Sequence, residues 1–284
     1  MQNETKITQG LAVFGSSPFT MGRQITETQG NTHAYHYHNF YEIYYLFSGD
    51  RYYFIKDKTY HAKRGTLVLI KPYEIHCTSK FSEEPYERIL ISFKKSYLEE
   101  LIAAFPAVNY LKSFEDDVHI IDVPPAERTF FESHLTSMLS EYKKSAEAST
   151  FFLKTALSEL LLFSQIKGAQ SRAEEPHRDA VRKTVSLAAA YINNNFSEDI
   201  SLNSVAERFY ISPCYLSRTF KRITGSSFTE YVNGVRIKEA QRLLLKTDMS
   251  VSDVAISVGF KSTTHFGRAF KALTGISPLS YRNK

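Results

Sequence analysis

The chain of 284 residues has two cysteines, Cys77 and Cys214, far apart in sequence. So sparse a pair argues against a structural disulfide and fits a reducing compartment. It also rules out the nucleophilic cysteine cluster that a protein repairing alkylated DNA bases would need. No apolar run approaches the ~18 residues of a membrane-spanning helix, so membrane partners are not expected. The opening Met1-Gln2-Asn3-Glu4-Thr5-Lys6 lacks a basic segment followed by an apolar one, so no secretory signal is expected and a cytoplasmic location is. Low-complexity tracts are missing too. What remains is an ordinary globular composition, long enough for two domains with separate cores.

Charge is unevenly spread. The formal net charge is +5, but residues 179–284 hold 15 Lys plus Arg against 8 Asp plus Glu, a net of +7, leaving 20 against 22 elsewhere. A basic C-terminal part on a near-neutral body is the electrostatic footprint of nucleic-acid binding.

That basic part says nearly the same thing twice. Arg218-Thr219-Phe220-Lys221 followed by Thr224-Gly225 is echoed fifty residues later by Arg268-Ala269-Phe270-Lys271 followed by Thr274-Gly275. Upstream, Leu202, Val205 and Ala206 are answered by Val251, Val254 and Ala255, and downstream Tyr231 is answered by Tyr281. A tandem duplication is indicated. Ser201 and Ser250 are expected helix caps, Ser212 an N-cap with Pro213 at the first helical position, and Gly259 a permissive turn residue matched to Phe260 as Ile211 is in the first copy. Each copy is therefore expected to be a helix-turn-helix. Leu216, Phe220 and Ile223, like Phe266, Phe270 and Leu273, belong inward. The opposite faces carry Cys214, Ser217, Arg218, Lys221 and Arg222 in one copy and Thr263, Thr264, Gly267, Arg268 and Lys271 in the other. These are the candidate DNA-binding residues, since a basic, hydroxyl-bearing helix face suits a major groove.

Gly259-Phe260, Phe266, Phe270-Lys271, Gly275, Pro278 and Tyr281-Arg282 resemble the signature of the AraC/XylS family of bacterial transcription regulators. The resemblance implies two helix-turn-helix units joined by one long helix, here residues 229–246. It also implies successive major grooves of promoter DNA as the target, RNA polymerase as a partner, and helices that pair two subunits into a homodimer.

Residues 1 to about 95 are predicted to be β structure, with strands at 40–47, 51–55, 67–70 and 89–93 separated by turn signals, which suggests a small barrel. Within it, Gly30-x5-His36-x-His38-x3-Glu42-x6-Gly49 resembles the first cupin motif. The second motif is matched only partly: Gly65 and Pro72 are present, but the spacing to His76 is one residue short and no Asn follows it. His36, His38, Glu42 and His76 are the candidate ligand-binding residues. Two imidazoles at i and i+2 share a strand face, so a site for Zn, Fe or Mn is geometrically open. The broken second motif favours an organic ligand over a metal, and no cofactor is expected. Tyr35, Tyr37, Tyr41, Tyr44, Tyr45, Tyr52, Tyr53, Phe54 and Tyr60 crowd the region; core packing is their commoner role, but tyrosines also suit a sugar. The family resemblance adds carbohydrates to the candidate effectors.

Amphipathic helices are expected at 97–105, from Pro125 with a stripe of Phe130/Phe131, His134/Leu135, Met138/Leu139 and Tyr142, and over 150–166, with a strand-like 119–123 between the first two. Residues 168–178 read as a linker, and 179–196 as the first helix beyond it. The expected fold is an α+β two-domain chain: a cupin-like barrel at 1–123, helices for dimerisation at 124–167, the linker, and an all-α tandem helix-turn-helix domain at 179–284. The function expected is a ligand-responsive DNA-binding regulator, not an enzyme. The alternative is a metal-dependent cupin enzyme carrying a DNA-binding module, although no acid–base pair of defensible spacing supports it.

Overall fold

The computed structural model describes residues 10–12, 17–26, 36–80, 84–144, 147–170 and 180–283. Gly30, Tyr35, the linker residues 171–178 and Asp179 lie outside them. The strands are β1 (Gly10–Ala12), β2 (Phe19–Thr26), β3 (His36–His38), β4 (Tyr41–Ser48), β5 (Asp50–Ile55), β6 (Lys58–Lys63), β7 (Thr66–Ile70), β8 (His76–Lys80) and β9 (Tyr86–Phe93). A 3-10 turn at Lys95–Leu98 leads to α1 (Glu99–Ala104), α2 (Lys112–Glu115) and β10 (Ile120–Asp122). The single helix expected over 97–105 is thus split between the turn and α1.

The strands form two five-stranded sheets, ordered β1-β3-β8-β5-β6 and β10-β7-β4-β9-β2. Period-2 alternation decides what each strand does. On β4, Tyr44 and Leu46 join Tyr53, Ile55, Val68, Ile70 and Tyr86 between the sheets, while Ile43 and Tyr45 face the other way into a core completed by helices. Both faces of β4 are covered, so its aromatics serve mainly as core.

Those helices are α3 (Pro125–Tyr142) and α4 (Glu147–Gln170). Phe131, Leu135, Met138 and Leu139 of α3 and Leu153, Leu157, Leu160 and Leu161 of α4 are buried on the outer face of the second sheet. The expected pairing of Phe130 with Phe131 on one inward stripe fails: Phe130 is 80% exposed. Neighbouring helical residues point ~100° apart, and Phe131 takes the inward direction. Helix α4 also runs through Gly168, where the linker was expected to begin.

The C-terminal part is helical: α5 (Ala180–Asn195), α6 (Leu202–Arg208), α7 (Pro213–Thr224), α8 (Phe228–Lys246), α9 (Val251–Ser257), α10 (Thr263–Thr274) and α11 (Pro278–Arg282). Its second half has its own core, with Ile237, Leu244, Val254, Phe260, Phe266 and Phe270. The first half does not. Val185, Ile192, Leu216, Phe220 and Tyr231 share one cluster with Tyr37, Phe54, Ile75 and Cys77 from the outer face of the first sheet. Polar contacts tie the same seam: Tyr231 Oη donates to Lys56 O at 2.7 Å, and Cys77 Sγ to Ile223 O at 3.6 Å.

Candidate nucleic-acid interface and effector site

The two helix-turn-helix units are built by the same local devices. Ser201 and Ser250 cap α6 and α9, accepting from the backbone N–H of Ser204 and Asp253. Ser212 and Ser262 cap α7 and α10, accepting from Tyr215 N–H and His265 N–H. Both of these helices stop at a left-handed glycine, Gly225 at φ 76° and Gly275 at φ 81°. Thr224 Oγ1 and Thr274 Oγ1 each donate to the carbonyl four residues back, Phe220 O and Phe270 O, both at 2.8 Å. Such matched ends satisfy backbone groups that helix termini otherwise leave open.

Helices α7 and α10 consequently present equivalent faces. Leu216, Phe220, Ile223, Phe266 and Phe270 are buried, and Leu273 is half-buried. Cys214, Arg218, Lys221, Arg222, Thr263, Thr264, Arg268 and Lys271 are exposed, with Ser217 and Gly267 half-buried between them. Tyr215 and His265, not among the candidates from sequence, are exposed at equivalent places in the first turn of each helix. Counting from the serine caps would have found them. In helix α8, which joins the units, Val232, Val235, Ala240 and Leu244 are buried, and Leu243 is half-buried.

In the barrel, His36, His38, Glu42 and His76 come together although they lie on three strands. His36 pairs directly with His76 across β3 and β8. Imidazole ligand atoms of His36, His38 and His76 all lie within 4.8 Å of one another, and all three rings are buried. Glu42 Oε2 is 3.3 Å from His38 Nε2, and its Oε1 is 3.8 Å from His76 Nε2. Burial alone would raise the Glu42 carboxyl, but the bond from His38 and the neighbouring imidazoles hold it at about 2. Burial, reinforced by the charge of His36, pushes His76 down to about 3. Glu42 is therefore ionised and His76 neutral at ordinary pH.

The ring orientations follow from the backbone. His38 Nδ1 sits 2.9 Å from Phe40 O, and His76 Nδ1 sits 2.8 Å from Glu74 O. With each Nδ1 beside its carbonyl, the buried Nε2 atoms of His38 and His76 are the ones turned to the centre, where both face Glu42. That arrangement orients imidazoles for a metal, so this donor set fits a divalent ion. A second group, Glu74, Asp117 and His119, also clusters within 4.8 Å. Lys56 Nζ already lies 3.2 Å from Glu74 and 3.1 Å from Asp117, and Lys71 pairs with Asp117 as well. Those lysines neutralise the carboxylates, so this group is an ion-pair network.

A barrel with a buried polar centre, packed against two basic helix-turn-helix units, defines a DNA-binding regulator with a ligand-binding domain. Comparison with known proteins agrees. The family model described as an AraC-like ligand-binding domain matches residues 21–161, and one described as a helix-turn-helix domain matches residues 205–284. The helix-turn-helix-type transcriptional regulator YfiF of Bacillus subtilis is 29% identical over 87% of this chain and 78% of its own length. The bifunctional transcriptional activator/DNA repair enzyme AdaA of Bacillus subtilis is 38% identical, over 34% of this chain and 46% of its own. The melibiose operon regulatory protein of Escherichia coli is 28% identical over 39% of this chain and 38% of its own. The chain belongs to the AraC/XylS family of ligand-responsive transcription regulators.

Proposed function

We propose that this regulator is a cytoplasmic homodimer that reads promoter DNA with the outer faces of α7 and α10 and acts on RNA polymerase. The barrel interior around His36, His38, Glu42 and His76 senses a small polar molecule of carbohydrate type and is not an enzyme centre. The likeness to the melibiose operon regulatory protein supports the effector class. The observation that carries the DNA-reading role is the matched exposure of Arg218 with Arg268 and Lys221 with Lys271 on two identically capped helices. Subunit pairing is supported by the outward face of α3 and α4, where Phe130, Phe151 and Ile166 are 80%, 73% and 61% exposed. Apolar side chains exposed together mark interaction surfaces. The domain boundaries proposed are those read from the sequence, with the helical part carried to Gln170.

Footprinting on the regulated promoter tests the reading. Two protected segments about one turn of DNA apart, ~34 Å, are expected, with protection that responds to effector in the wild type and not in Glu42→Gln. Protection of a single groove segment, or normal induction of Glu42→Gln, would overturn it.

The convergence of three imidazoles supports a second reading, a barrel that holds a metal. Zn, Fe or Mn bound by His36, His38, His76 and Glu42 would act as a Lewis acid toward effector oxygens. Metal analysis of the purified chain separates the two: stoichiometric metal lost in His76→Ala favours the second.

A further inference from the structure

The interior of the barrel has a second set of polar groups, four residues along β5 from the pairing of Ile55 with His76. Strand β5 sends Arg51, Tyr53 and Ile55 to one side, and β9 sends Tyr86, Arg88 and Leu90 to meet them from the opposite sheet. Arg51 is 3% exposed, and its buried Nε and Nη2 have no hydrogen-bond partner. Its guanidinium lies over the ring of Tyr86, 4.5 Å from the centroid. Arg88 is 9% exposed and lies 5.4 Å from the centroid of Tyr44. Its Nε and Nη2 donate to Oε1 of Gln24 at 3.0 and 2.6 Å, a neutral acceptor on the exposed part of edge strand β2. The Tyr44 hydroxyl is fully buried and likewise without a partner.

Charge accounting makes this set unusual. A guanidinium stays protonated in proteins, and burying a charge is costly unless an opposite charge accompanies it. Among the described residues neither arginine has a carboxylate within ion-pair distance. The acid on the interior face of β4, Glu42, is engaged by His38 and His76. Two cations thus face the tyrosine-lined interior with no carboxylate among the described residues at ion-pair distance, Glu42 acting on Arg88 only at longer range. Arginine forks match a planar carboxylate in particular, offering paired N–H groups to its two oxygens. A neutral sugar would leave both charges without an ion-pair partner among the described residues.

We propose that the barrel binds a small hydroxylated carboxylic acid, such as a uronic or aldonic acid, with the carboxylate held between Arg51 and Arg88 and a hydroxyl on Tyr44. The proposal rests on the sensing role given to the barrel and names the chemical class of its effector. Glu42 and the histidines take the remaining hydroxyls.

The test uses the full-length chain. Glucuronate, galacturonate and gluconate are compared with glucose and galactose at equal millimolar concentration by thermal shift and calorimetry, alongside operator affinity. At least one acid is expected to raise Tm where its neutral counterpart does not. Arg51→Met and Arg88→Met should each weaken that acid about thirtyfold or more, the scale for breaking a buried charge-assisted pair. Ligand-free Arg51→Met should melt no lower than the wild type, because it sheds a buried charge that has no partner. A lower Tm would make Arg51 a structural residue and overturn the proposal. It also falls if no acid shifts Tm, if neutral sugars bind as tightly as their acids, or if the arginine variants bind acid normally. A neutral sugar that alters operator affinity would leave the sensing role intact while ending the acid proposal. An acid that binds without altering operator affinity would uphold the site and remove the sensing role.

Discussion

The two helix-turn-helix units share caps, lengths and glycine stops, yet they are differently embedded. In the first, Phe220 and Tyr231 lie in one apolar cluster with Phe54 and Cys77 of the barrel. In the second, Phe270 belongs to a cluster made by α8 to α10. Duplication has preserved the device and changed its neighbours. The apolar core of the first unit is accordingly continuous with β5 and β8, while the second unit meets the barrel at β1, against α10, and at Tyr73, against Tyr281. The outer faces differ too: Ser217 and Arg222 of the first become Gly267 and Ala272 of the second, so the second has fewer groups to offer a base or a phosphate.

The largest test of that contrast is Phe220→Ala against Phe270→Ala. Truncating a buried phenylalanine costs about 3–5 kcal/mol. Hydrogen exchange should show β5 and β8 losing protection with Phe220→Ala and keeping it with Phe270→Ala. Equal protection in both would mean that the barrel and the first unit do not share stability.

Next come the arginines proposed to face DNA. Loss of an arginine that forks onto guanine costs ~1–3 kcal/mol and relaxes preference at that base pair. Arg218→Ala is expected to do this in its half-site, and Arg268→Ala to do it over fewer positions, as measured on operators substituted base by base. Lys221→Ala should weaken all sequences alike with a shallower salt dependence. Unchanged base preference in Arg218→Ala would break the comparison.

The turn between the helices offers a backbone version of it. Gly259 holds φ 90°, and a Cβ there would come within 2.8 Å of Phe196 O and Ser197 O. Its counterpart is Tyr210 at φ 54°, 96% exposed. A side chain in left-handed backbone costs ~1–2 kcal/mol, and the close carbonyls add to this at 259. Gly259→Ala should therefore lower Tm, and Tyr210→Gly should leave it level or raise it. The reverse order would show that the two turns are not equivalent.

The smallest effect expected is at Tyr231, whose hydroxyl bonds Lys56 O across the domains. Burial raises its phenol far above the ordinary value, with a hydrogen bond from Asn193 opposing, so it remains a donor at any working pH. Tyr231→Phe should cost ~1 kcal/mol and speed exchange in the β5–β6 turn. Unaltered exchange there would place the coupling in the apolar contacts alone.

Much of the C-terminal part was legible because its rules are local. A serine cap, an apolar residue every three or four positions and a glycine stop all lie within fourteen residues, so α7 and α10 and their outward residues follow from the chain itself. The barrel was legible as strands and as His36, His38, Glu42 and His76, since i and i+2 share a strand face. Its helical packing was less so: Phe130 and Phe131 are equally apolar, and only the position of the second sheet selects Phe131 for burial.

What the amino-acid order determined alone was thus the duplication, the ends of its helices and the chemistry of the two outward helix faces, all set by hydrogen bonds and side-chain periodicity over short separations. Tertiary structure decided which histidine faces which, through the pairing of His36 with His76 forty residues apart. It also brought Arg51 and Arg88 to one space from opposite sheets and joined the first unit's core to the barrel. Strand register and sheet packing fix those placements, and a shift of one residue in register would turn Arg51 or Arg88 to the opposite face.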